Sequence, residues 1–88
     1  MIITNPNEAY VGMPATFAIG SDSYATEVTA VYYFKSGERK GQVKAVATTR
    51  GLFTLRTKGR KAGRLIEAGQ EYGTLRLGEA VDYWDPHF

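Results

Sequence analysis

Apolar and polar residues alternate along this chain over short runs, and glycine interrupts each run before it reaches helical length. Phe53 and Leu55 alternate with Thr54 and Arg56, the period of a strand with one face buried. Tyr24–Phe34 is the longest run of this kind. It places Val28, Ala30, Tyr32 and Phe34 on one face and Glu27, Thr29, Val31, Tyr33 and Lys35 on the other. β-Branched and aromatic residues dominate it, as strands prefer. Apolar residues on both faces over Val31–Phe34 predict a central or strongly bent strand. Ala15–Ile19 reads as a shorter strand before it. Gln42–Thr49 follows, with Val43, Ala45 and Ala47 alternating against Lys44, Val46 and Thr48, and then Leu52–Arg56.

The pattern weakens towards the C-terminus. Arg64–Ala68 reads as a short strand or one helical turn. Gly73–Leu77 puts Leu75 and Leu77 inward, and Ala80–Tyr83 reads as a final short strand. Asn5-Pro6-Asn7, Gly12-Met13-Pro14, Gly20–Ser23, Lys35–Gly41 and Arg50-Gly51 carry turn chemistry. Residues 1–9 read as an extended, loosely held arm. No apolar run keeps a 3.6-residue period long enough for a helix. The expectation is therefore an all-β domain of five to six short strands, either a small barrel or a strongly bent antiparallel sheet. Closure hides the strand edges that a small β protein must protect.

At 88 residues the chain makes one domain, one that buries only about 60–65% of its unfolded surface. With 43% hydrophobic and 23% charged residues it has the composition of a folded protein. No run approaches the roughly 20 apolar residues of a membrane span. Met1–Pro6 has neither a basic n-region nor an apolar h-region, so no signal peptide is expected. Zero cysteines exclude a disulfide framework and thiol chemistry, and fit a reducing cytoplasm.

Charge changes the picture more than composition does. The net +2 is unevenly spread. Residues 1–34 carry three acids and no Lys or Arg, residues 35–64 carry ten Lys/Arg against Glu38, and residues 65–88 carry five acids against Arg76. The basic third reads either as a face for phosphates or acidic proteins, or as solvated hairpin tips balanced by the acidic segments.

Catalytic constellations are hard to assemble. His87 is the single histidine, which argues against a zinc site and leaves a Ser-His-Asp triad dependent on a residue near the end of the chain. Asp82, Asp85 and His87 lie close in sequence but make a poor cation site, and they read better as flanks of a docked aromatic tail containing Trp84 and Phe88. Gly37–Gly41 lacks the spacing of a phosphate loop. Asp22 in its turn reads as a cap for its own backbone. No enzyme activity, cofactor or metal is expected.

The stretch Phe53–Arg64 is the strongest candidate for a contact surface. Its strand runs into a turn with Arg56, Lys58, Arg60, Lys61 and Arg64 and two glycines, which suits the backbone of a nucleic acid or another anion. Tyr32 and Tyr33 are the candidate stacking residues, and Tyr24, Phe34 and Phe53 join them only if the core does not claim them.

Val11-Gly12-Met13-Pro14-Ala15-Thr16, Gly20-Ser21-Asp22-Ser23-Tyr24, Phe53–Arg60, Leu75-Arg76-Leu77-Gly78 and the terminal Tyr83–Phe88, in that order, resemble a family of small uncharacterised proteins of bacteriophages and prophages. The resemblance covers most of the chain. This sequence departs from it at Ser23, where the family commonly has Arg in a Ser-Asp-Arg triplet, and in a shorter stretch around Val43–Leu52. The resemblance implies a viral origin and action inside an infected bacterial cell. Gly12–Val31 also looks like the entry to an SH3-like barrel, a likeness of fold that does not fix function. The reading is a non-catalytic accessory module whose basic turn engages nucleic acid. The alternative is an inhibitor of a host defence protein, such as an anti-CRISPR. A structural part of the virion is a third possibility.

Overall fold

The computed structural model describes residues 5–60, 62–69 and 72–83. Six strands form: β1 (Pro14–Ile19), β2 (Asp22–Tyr33), β3 (Val43–Thr48), β4 (Gly51–Leu55), β5 (Leu65–Glu67) and β6 (Thr74–Leu77). Each pairs antiparallel with the next, and β6 returns to β1, closing a barrel. The protein is thus an all-β, small SH3-like barrel. Arg64–Ala68, ambiguous in sequence, contains the strand β5 at Leu65–Glu67.

The turns explain the sharp reversals. Ile19 pairs with Asp22 across Gly20-Ser21, and Gly20 takes φ +58°, a left-handed conformation that costs glycine little. The Thr49-Arg50 reversal uses side-chain chemistry instead. Thr48 Oγ1 accepts from the Arg50 N–H at 3.1 Å and donates to the Gly51 carbonyl at 3.2 Å, a hydroxyl substituting for turn backbone.

The core is Phe53, Val28, Val43, Val46, Met13, Ala15, Leu65, Leu75 and Leu77, with Phe17, Val31 and Leu55 packed against it. Phe53 is fully buried and meets the Phe17 ring edge-on at 5.5 Å between centroids, a favoured aromatic geometry. Burial of each large side chain stabilises the fold by about 1.5–3 kcal/mol.

Two departures from simple alternation set the faces. The β2–β3 register shifts between Val28 and Ala30, and again between Tyr32 and Tyr33, where Lys44 is the extra residue on β3. Such bulges bend a strand and switch its parity. Val31 therefore joins Val28 inside, although uninterrupted alternation assigns them to opposite faces. Val46, expected to face out with Lys44, is fully buried and pairs with Val31 and Phe53.

The two ends of the described chain also differ from expectation. Residues 5–9 are docked. Pro6–Glu8 forms a 3-10 turn capped by Asn5, and the Val43 N–H donates to Asn7 Oδ1 at 2.8 Å. Ala9 is buried in the core cluster. Ala80–Tyr83 forms no strand, only a single bridge between Tyr83 and Ser23. This segment straps the barrel instead. Thr16 Oγ1 donates to the Glu79 carbonyl and accepts from the Val81 N–H at 3.1 Å, and Asp82 Oδ1 accepts from the Ala25 N–H at 2.8 Å. The strap and Arg50, whose Nε donates to the Ala25 carbonyl at 3.2 Å, satisfy the edge of β2 beyond its pairing with β3.

Candidate functional site

In a barrel of consecutive antiparallel strands, connections alternate between the two ends. The β2–β3 and β4–β5 connections therefore emerge at the same end. They leave from β3 and β4, which are hydrogen-bonded neighbours about 4.8 Å apart. Lys35, Arg39 and Lys40 lie exposed on the first connection, and Lys58, Arg60 and Arg64 lie exposed on the second. Lys44, the bulged residue at the start of β3, is exposed beside them. Glu38 is the one acid in these two connections.

The β4–β5 loop has a narrow foot and a tip closed by a turn, in which the Ala62 N–H donates to the Gly59 carbonyl at 3.2 Å. The Arg56 N–H donates to the Arg64 carbonyl at 2.9 Å, and the Gly63 N–H donates to the Arg56 carbonyl at 2.8 Å. Gly59 and Gly63 take φ near +80°, which lets the chain fold back. Of the five cations expected here, Lys58, Arg60 and Arg64 stand exposed, Arg56 is half-buried at the foot, and Lys61 lies outside the described residues. Sequence proximity singled out this loop alone. Lys35, Arg39 and Lys40 join it through strand order, which their distance along the chain conceals.

Tyr32 and Tyr33, at the end of β2 before the first basic connection, are 52% and 49% exposed. Phe53 belongs to the core. Tyr24 lies elsewhere, with the Arg50 guanidinium 4.8 Å from its ring centroid, a cation–π contact. Of the candidate cation ligands, Asp82 has its carboxylate on the Ala25 amide, while Asp85 and His87 lie outside the described residues, as do Trp84 and Phe88 of the expected aromatic tail. Among the described residues no cluster of three His, Asp or Glu could hold a metal ion, and no helix is long and apolar enough to cross a membrane. Searches against protein-family models, curated proteins and solved structures found no match.

Proposed function

We propose that this protein is a non-catalytic module that binds a polyanion, nucleic acid foremost, with the basic rim formed by its β2–β3 and β4–β5 connections. It acts as an accessory protein in the cytoplasm of a bacterial host, in keeping with its resemblance to phage proteins. The observation that carries the reading is the convergence of two basic loops from adjacent strands on one barrel end. Clustered Lys and Arg with one opposing acid raise the local concentration of an anion and release its counterions on contact.

The test is anisotropy of a fluorescein-labelled oligonucleotide titrated with the protein from about 50 to 200 mM salt. If about four of the exposed cations meet phosphates, the logarithm of affinity falls against the logarithm of salt with a slope of about −3. A flat response overturns the reading. Capture of partners from bacterial lysate with and without nuclease gives the second arm. One protein retained in both samples replaces nucleic acid by an acidic protein surface, which the same rim would attract.

A further inference from the structure

The outer face of β2–β3–β4 beside the basic rim is uncharged. Strand register aligns Tyr32 with Ala45 and Ala45 with Thr54, and aligns Ala30 with Ala47 and Ala47 with Leu52. Val31, Val46 and Phe53 fill the row between them and face the core, so these six positions face outward. The solvent face of an antiparallel sheet is ordinarily polar. Here Tyr32 and Leu52 are exposed at 52% and 42%, Ala30, Ala47 and Thr54 are half-buried, and Ala45 is buried between them. The row continues to Ile66 of β5, which is buried, so the open part of the face ends at β4. Tyr32 is paired directly with the small side chain of Ala45, with Thr54 the next residue along the row.

From this we infer that the occupant is a single-stranded nucleic acid, its unpaired bases lying on the Tyr32–Leu52 face and its phosphates on the flanking basic loops. The inference rests on the polyanion reading and narrows it. An exposed aromatic ring beside small uncharged residues accepts any unpaired base, whereas a duplex keeps its base faces stacked away. The described residues hold no α-helix to enter a major groove. Cations on both adjoining connections complement a phosphate backbone crossing the face. Tyr33 has a different place. It pairs with the core residue Val43, on the other side of the β2–β3 hairpin from Tyr32, so Tyr32 is the stacking residue of the pair.

The experiment compares labelled oligothymidylate of about 15 nucleotides with a duplex of the same length, at low salt, for the wild type and for Tyr32→Ala, Tyr32→Phe and Tyr33→Ala. Circular dichroism and melting confirm that each variant is folded. Tyr32→Ala lowers affinity for the single strand about tenfold or more and leaves duplex affinity unchanged. Tyr32→Phe restores single-strand binding, and Tyr33→Ala stays close to wild type. Salt-dependent binding of both forms that Tyr32→Ala does not alter overturns this inference and leaves the polyanion reading standing. No binding of either form removes both. A concentration-dependent dimer in sedimentation that Leu52→Lys dissolves assigns the face to a second copy and overturns the inference.

Discussion

Gly73 offers the sharpest test of how tightly this barrel is packed. It is buried between β5 and β6, and its carbonyl accepts from the Glu67 N–H at 2.8 Å. A β-carbon added there would stand far inside van der Waals contact with Phe17 Cε1, 2.8 Å from Cζ and 3.1 Å from Cδ1. The ring cannot swing aside at no cost, because it lies between Phe53, edge-on at 5.5 Å, and Tyr24, tilted at 6.1 Å. Overpacking of this kind costs about 1–3 kcal/mol. A domain of this length has a total stability of about 4–13 kcal/mol, so the loss is large. Each kcal/mol lowers Tm by about 4–8 °C at this size, so Gly73→Ala is expected to melt about 4–24 °C lower. Thermal unfolding followed by circular dichroism reads the shift. Phe17→Leu removes the ring, so the double variant should lose less than the sum of the two single losses. A Gly73→Ala protein melting within about 2 °C of wild type would refute the argument that the Phe17 ring is held in place.

Three further outcomes follow from the contacts described. Replacing both Lys58 and Arg60 by Gln should reduce the steepness of the salt dependence by about 1.4 for a single strand with Tm unchanged; an unchanged slope places the phosphates elsewhere. Thr16→Val removes the hydroxyl that bonds both the Glu79 carbonyl and the Val81 N–H, and the loss of these two hydrogen bonds should cost about 1–3 kcal/mol. Faster amide exchange at Val81 would localise the loss to the strap, and wild-type protection there would count against it. Asn7→Ala removes the acceptor for the Val43 N–H and should cost about 1 kcal/mol, seen as a lower midpoint in urea; no change would mean that the 3-10 turn contributes nothing to holding β3.

Much of the barrel is legible in the residues. The alternation of Phe53 and Leu55 with Thr54 and Arg56, the β-branched run after Tyr24, and the regular glycines give the all-β class and a range of five to six strands, since a half-buried strand imposes a period of two, although Ala80–Tyr83 turns out to be a strap and not a strand. Face assignment fails where that period slips. Neither bulge on the β2–β3 pair carries a glycine or other local mark: Thr29 lies within a β-branched run, and Lys44 is an ordinary polar residue between Val43 and Ala45. The inward turn of Val31 and Val46 follows from pairing with a partner strand. The docking of residues 5–9 escapes a local reading for the same reason, because Asn7 makes its bond to Val43, thirty-six positions away.

The candidate site divides along the same line. The sequence alone determines that this chain folds as short strands around an apolar core and concentrates its positive charge in its middle third, because burial and charge are properties of residue types. It also marks Arg56–Arg64 as a basic turn. Tertiary structure decides that Lys35, Arg39 and Lys40 share a rim with that turn, that Arg56 sits at the foot of its loop, and that Tyr32 rather than Tyr33 looks out over an uncharged face. These depend on which strands are neighbours and on the register between them. Register is fixed by long-range pairing and by two bulges, so side chains far apart in the chain meet on a surface that no local window contains.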